Sequence, residues 1–270
     1  MSGYPVVDEK NLKWLRQRMD LACDMAEPVE SLRKVGFSDE AIYDAIEKVR
    51  PRGNALESGQ PPPLIRRNPP NLHKIATDKF DGYTLDNFLS PTECAKLASL
   101  ISYHLRPSTL GEGYNDGSFR NSTTADLCHL QAPAALAIDA KICKTFGIRA
   151  EYSEGISAQR YDVGQQFKPH WDYFTPGTEL YRRTAGVRGN RTWTFMVYLN
   201  EGMEGGATRF TKIDYPVLPK LGMALFWNNL NADGSPNEYT MHAGEPVTSG
   251  HKVIITKWFR IHGHGPVYHE

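Results

Sequence analysis

Downstream of Gly155 the texture of the chain changes. Short runs of β-branched and aromatic residues, at 156–161, 192–199, 207–210, 223–227 and 252–260, are separated by segments rich in Gly, Pro and Asn. Runs this short pair as antiparallel strands of a sandwich, and at this spacing the sandwich closes into a jelly roll. The predicted fold class is therefore mainly β with flanking helices (α+β): a double-stranded β-helix (jelly-roll) core with a small N-terminal helical extension.

The first part of the chain is built differently. In residues 11–25, Leu12, Leu15, Met19 and Ala22 recur at helical spacing on one face. A second helix opens on a Ser38 cap, with Asp39 and Glu40 in its first turn and Phe37 placed to staple onto Ile42. Ile42, Ile46 and Val49 share a face, and Pro51 stops the helix. An amphipathic stripe needs a cover, so these helices dock on the core or on a partner. Residues 51–71 are rich in Pro, Gly and polar groups, with too few apolar residues for a core. The predicted division is a helical module 1–50, a Pro-rich linker 51–75, a jelly-roll domain 76–262 and a tail 263–270. Early in that domain, Ser90-Pro91-Thr92-Glu93 spells a capping box with proline at the first helical position. Residues 133–146 read as a helix stopped by Gly147.

Charge narrows the partners. The 31 basic and 31 acidic residues cancel, and no Lys/Arg run is long enough to track a phosphate backbone, so nucleic acid is not an expected partner. No stretch is apolar enough to cross a bilayer, and the N-terminus lacks a basic segment followed by an apolar run. The four cysteines, Cys23, Cys94, Cys128 and Cys143, form no CxxC pair and fit a reduced compartment. The expectation is a cytoplasmic protein with no membrane partner.

The stretch QRYDVGQQFKPHWD, residues 159–172, ends in two metal-binding side chains. His170 and Asp172 are two residues apart, so in an extended strand they point to the same face. His242 lies far enough downstream to return on the opposite strand of a barrel. Two histidines and a carboxylate leave coordination positions open and suit non-haem iron(II); the same three ligands also suit catalytic zinc. Ten residues after His242, Lys252 begins an apolar strand whose alternation points it inward. A buried ammonium needs an anion, and a dicarboxylate co-substrate reaching from the metal would supply one.

The segments HWD, GNRTWTFMVYLN, EGGATRF and FWNNLNADGSPNEYTMHAGEPVTSGHKVIITKWFR follow one another in that order. Together they resemble the iron(II)/2-oxoglutarate dioxygenases of the prolyl 4-hydroxylase family, over residues 80–260. The resemblance implies that His170, Asp172 and His242 bind Fe(II), with 2-oxoglutarate and O2 as co-substrates and ascorbate as a reductant. It implies that Lys252 pairs with the distal carboxylate of 2-oxoglutarate, that the Tyr161 and Thr208 hydroxyls contact the same carboxylate, and that Arg120 and Trp258 line the substrate side. Phe167 departs from the pattern, because tyrosine is common there in those enzymes; the departure bears on the substrate and leaves the iron site untouched.

The implied function is hydroxylation of an unactivated aliphatic C–H of proline, or of a proline-like or other amino acid, with decarboxylation of 2-oxoglutarate to succinate. The substrate is peptidyl or a free small molecule. Residues 173–189 read as a loop at the barrel mouth, from which Arg182, Arg183 or Arg188 would grip a free α-carboxylate by a bidentate pair. Two rivals stand beside this function: a non-catalytic jelly-roll sensor or binding module, and a zinc-dependent hydrolase.

Overall fold

The computed structural model describes residues 6–21, 26–49, 61–109, 117–130, 132–185 and 188–262. Along the chain run α1 (Glu9–Leu21), α2 (Ala26–Lys34), α3 (Asp39–Val49), α4 (Pro63–Arg67), β1 (Leu72–Lys74), β2 (Gly82–Leu85) and α5 (Pro91–Ser102). Next come β3 (Arg106–Pro107), β4 (Thr123–Asp126), α6 (Pro133–Phe146), β5 (Ser157–Asp162), β6 (Phe167–His170), α7 (Glu179–Ala185) and β7 (Arg191–Tyr198). The remainder is β8 (Glu204–Gly205), β9 (Thr208–Phe210), β10 (Tyr215–Val217), β11 (Ala224–Asn228), β12 (His242–Gly244), β13 (Val247–Ser249) and β14 (His251–Arg260).

The strands assemble into an eight-stranded sheet, ordered β1-β2-β11-β7-β14-β5-β4-β3, facing a four-stranded sheet, β10-β9-β12-β6. A small ribbon pairs β13 with β8. Central strands of the large sheet are apolar on both faces because each face has a cover. Trp193, Phe195 and Val197 of β7 pack outward with Phe146, Leu97 and Ile101 against the helices α5 and α6. Met196 and Tyr198, one residue out of phase, pack inward with Phe210, Leu225 and Trp227 between the two sheets. The expected strands differ from β5, β7, β9, β11 and β14 by at most one residue at either end. The strands that went unforeseen, such as β1, β3, β8 and β13, are two or three residues long, too short for a period to show.

The helix signals hold where they rest on capping chemistry. Glu93 donates its backbone N–H to Ser90 Oγ at 3.2 Å, and Ser90 donates its own to Glu93 Oε2 at 2.7 Å, closing the capping box of α5. Helix α6 ends at Gly147, whose φ of 78° is left-handed and whose missing side chain makes room for the Pro63 ring; a Cβ there would lie 2.8 Å from Pro63 Cγ.

That contact corrects the predicted linker. Its first half, like the tail 263–270, lies outside the described residues, but Pro63–Arg67 folds into α4, buries Leu64 in the main core and lies on α6. Arg67 donates to the Thr145 carbonyl at 2.9 Å.

The N-terminal module also gains an element. Helix α2 separates the two expected helices, and Leu12, Leu15, Val29, Leu32, Ile42 and Ile46 form a separate small core. The module docks on the jelly-roll domain through Arg33. Its guanidinium donates to the carbonyls of Arg183 (2.8 Å) and Arg182 (3.0 Å) in the last turn of α7, while Asp39 at 2.7 Å holds it in place. A cation at a helix C-terminus meets the exposed carbonyls and the negative end of the dipole. No described helix is long and apolar enough to cross a membrane.

Candidate active site

Strand β6 pairs antiparallel with β12, so that His170 lies directly opposite His242. The strand ends at His170, and Asp172 lies just beyond it rather than within it, so the chain turns to bring the carboxylate back. Asp172 Oδ1 lies 4.0 Å from His170 Nε2, and Oδ2 lies 3.8 Å from His242 Nε2. One ligand atom from each of the three falls within 4.8 Å of the others, a spacing that a single ion can draw together.

The protonation pattern fits a metal. His170 Nδ1 lies 2.8 Å from the Lys168 carbonyl and His242 Nδ1 lies 2.9 Å from the Thr240 carbonyl. A carbonyl only accepts, so each Nδ1 carries a proton and each Nε2 is the atom turned toward Asp172. Burial pushes the His170 imidazolium down to about 3, with repulsion from His242 acting in the same direction, so the ring is neutral at ordinary pH. Burial alone would raise the Asp172 carboxyl, but the two imidazoles, Arg191 and the Thr194 hydroxyl outweigh it and hold the group below its usual range. Two imidazoles, each oriented by a backbone carbonyl, and one carboxylate are the donor set of a divalent first-row metal with open positions.

Behind Asp172 runs a buried chain of hydrogen bonds. Trp227 Nε1 donates to Asn229 Oδ1 (2.9 Å), Asn229 Nδ2 donates to Thr194 Oγ1 (2.9 Å), and Thr194 donates to Asp172 Oδ2 (2.7 Å). On the other side, Arg191 donates to the Asp172 carbonyl at 3.3 Å and binds Glu154 through two bonds of 2.7 Å. Burial would raise the Glu154 carboxyl, but Arg191, Arg260 and Arg188 hold it well below the usual carboxylate range.

Across the pocket, the inner face of the large sheet is set by the β5–β14 register, which pairs Lys252 with Tyr161, Ile254 with Gln159 and Thr256 with Ser157. Lys252 is 1 % exposed. Its Nζ donates to the Gly206 carbonyl at 2.8 Å and lies 4.4 Å from the centre of the Tyr161 ring. Burial pushes the ammonium down to about 8 against the opposing pull of Glu245. Thr208, also buried, accepts a hydrogen bond from the Tyr198 hydroxyl at 2.8 Å. Burial raises the Tyr161 phenol, which stays protonated.

These groups line one pocket of about 480 Å³, including its open mouth, together with His170, Asp172, His242, Arg120, Phe167 and Trp258. Phe167 stacks on His170 with ring centres 3.5 Å apart, and Arg120 lies 4.7 Å from the centre of the Phe167 ring while donating to Ser122 (3.1 Å) and Thr124 (3.3 Å). Trp258 packs under the Arg191 guanidinium at 3.9 Å.

Two expected contacts lie elsewhere. Residues 179–185 form α7 rather than a loop; on it, Arg182 has a 71 % exposed side chain and ion-pairs with Glu179. Arg188 is 3 % exposed and donates to the Ser153 carbonyl at 2.8 Å, facing Glu154. Neither lines the pocket. Conversely, Gln159 and Thr256 do line it and went unnoticed, although each lies two positions from an inward residue on its strand. Arg191 and Glu154 gave no local signal; they meet from 37 residues apart.

Comparison with known proteins places this geometry. Residues 156–260 match the family model of the 2OG-Fe(II) oxygenase superfamily. Prolyl 4-hydroxylase subunit alpha-3 of Homo sapiens is 34% identical over 182 residues, which is 66% of this chain and 33% of that protein. Prolyl 4-hydroxylase subunit alpha-1 of Homo sapiens is 33% identical over 181 residues, 66% of this chain and 34% of that protein. The chain thus spans about a third of the length of these curated relatives. Among solved structures, a viral collagen prolyl hydroxylase from Paramecium Bursaria Chlorella virus-1, in its 2OG complex, is similar with a TM-score of 0.53 and 26% identity; the match covers 66% of this chain and 95% of that one.

Proposed function

Because the chain belongs to the 2OG-Fe(II) oxygenase superfamily, among the prolyl 4-hydroxylases, we propose that it hydroxylates an aliphatic carbon of a prolyl or proline-like residue within a peptide. The observation that carries this reading is Lys252: a buried ammonium in the same pocket as the His170–Asp172–His242 set, with a backbone carbonyl and an aromatic face beside it. A carboxylate arriving there restores the charge balance that burial removed. A metal set and a buried cation in one pocket suit a dicarboxylate co-substrate, which neither a zinc hydrolase nor a non-catalytic module requires.

Fe(II) held by the three ligands, with 2-oxoglutarate and O2, supplies the oxidation of a C–H bond to C–OH, releasing succinate and carbon dioxide. The protein's own residues do the rest. Lys252 neutralises the distal carboxylate, and the hydroxyls of Tyr161 and Thr208 stand beside it. Thr194 bonds the Asp172 carboxylate and fixes its orientation, while Arg191 holds the backbone carbonyl of the same residue. Phe167, Arg120 and Trp258 shape the space beside the metal, and that shape decides which C–H is presented.

Two things favour a peptidyl substrate. The arginines expected to clamp a free α-carboxylate are engaged elsewhere, and the similar proteins are prolyl hydroxylases. The test offers the purified protein Fe(II), O2 and 2-oxoglutarate with a library of proline-containing peptides beside free amino and imino acids, and follows one added oxygen atom by mass spectrometry and succinate in parallel. Peptide oxidation coupled to succinate is expected, with turnover abolished in His170→Ala. Oxidation of the free acids alone would overturn the peptidyl assignment, and an undiminished rate in His170→Ala would sink the metal site.

A further inference from the structure

Gln159 opens the stretch that carries the metal ligands and lines their pocket, with no role in the chemistry described above. It is 4 % exposed. Its Nε2 donates to Ser157 Oγ at 2.9 Å and its Oε1 accepts from Thr256 Oγ1 at 3.1 Å. A carboxamide has two N–H donors, and one of them has no hydrogen-bond partner among the described residues. A buried donor without a partner is unfavourable, and the pocket is where a partner can arrive.

Its position says which partner. The Lys252–Tyr161 pair marks the anion end of the sheet; Gln159 lies two residues further along β5, about 7 Å away by strand geometry. Its bond to Thr256 leans the amide further toward Trp258, away from Lys252. On its other flank it faces Thr124, whose hydroxyl accepts from Arg120. Arg120, Gln159 and Thr256 therefore make a polar strip beside the apolar surfaces of Phe167, Ile254 and Trp258.

We propose that Gln159 is a specificity-determining residue that donates its second amide N–H to a backbone carbonyl of the peptide substrate, next to the ring that is oxidised. An apolar ring flanked by amide carbonyls matches an apolar wall beside a strip of donors. The inference rests on the hydroxylase reading and deepens it, since it names the feature of the substrate that is recognised.

The test is a cycle between protein and substrate. Peptides oxidised by the wild type are remade with each carbonyl in turn replaced by methylene, and all are assayed with wild type, Gln159→Leu and the near-isosteric Gln159→Glu. At one position the methylene peptide should lose about fivefold in kcat/KM with the wild type, the size of one neutral hydrogen bond of about 1 kcal/mol, and lose nothing further with Gln159→Leu. Gln159→Glu, which cannot donate when ionised, should bind the parent peptide no better than Gln159→Leu, and it serves if the leucine variant does not fold. Calorimetric binding of the parent peptide, with Mn(II) in place of Fe(II) and oxygen excluded, should show the same loss. KM for 2-oxoglutarate should stay within twofold.

Equal penalties in wild type and variants at every carbonyl would overturn the proposal and leave Gln159 as a tie between β5 and β14. A rise confined to the 2-oxoglutarate KM would overturn it too. If the wild type oxidises no peptide at all, the hydroxylase reading falls first and this inference with it.

Discussion

Strand β14 carries two buried lysines, Lys252 and Lys257, on opposite faces of the same sheet. Lys257 looks outward toward α6; its ammonium lies 2.5 Å from Asp139 and donates to the Glu154 carbonyl at 2.9 Å, with both side chains essentially inaccessible. Lys252 looks inward and meets a backbone carbonyl and a phenol ring, but no carboxylate within ion-pairing distance among the described residues. Both ammonium groups have left water, at considerable expense in solvation. The first has its anion built in and works as a structural pin. The second lacks one, which is the physical signature of a site that takes its anion from outside.

The largest expected effect separates the two faces by stability. Lys257→Met leaves Asp139 buried opposite a methyl group, and breaking a buried pair from one side costs about 3–5 kcal/mol. Lys252→Met removes a buried charge that has no carboxylate within ion-pairing distance among the described residues, only the weaker pull of Glu245, and should leave stability unchanged or raised. Urea unfolding of the two variants checks this, and equal losses would erase the distinction. Next in size is the co-substrate requirement. Lys252→Met should raise the KM for 2-oxoglutarate by about 30-fold or more, the range for losing one partner of a desolvated charge pair, while any active Lys257 variant keeps the wild-type value.

The smallest effect is in pH. Because burial sets Lys252 near 8, the unliganded protein loses that charge above about pH 8 and must recover a proton to bind the dicarboxylate. The KM for 2-oxoglutarate should climb toward tenfold per pH unit above that point and stay flat in Lys252→Met. The linked stability runs the other way. Between about 8 and the ordinary value of 10.5 the unfolded chain holds a proton that the folded chain has released, so this group's contribution to stability rises with pH in that window.

How much of this could be read in advance depends on the range of each signal. The capping box of α5 and the glycine stop of α6 are contained within a few residues and appear where they were expected. The inward direction of Lys252 follows from alternation along one strand. That alternation also pointed to Gln159 and Thr256, but a glutamine and a threonine in a strand carry no chemical flag of their own. The segment 173–189 misled because helix α7 is only seven residues long and its arginines look free until their partners are placed. Arg182 then proves to be spent on Glu179, and the backbone beside it on Arg33 of the N-terminal module.

The sequence by itself determined the jelly-roll class, the His170–Asp172–His242 donor set and the inward Lys252, because residue type and a period of two settle which chemistry a strand presents to one face. What that face meets was left to the tertiary structure. Lys257 finds Asp139 across 118 residues and Arg191 finds Glu154 across 37. Gln159 meets Thr256 across 97. Pairings at such separations depend on how the strands and helices stack, so no local pattern encodes them, and only the folded chain distinguishes the lysine that is already paired from the lysine that waits for a ligand.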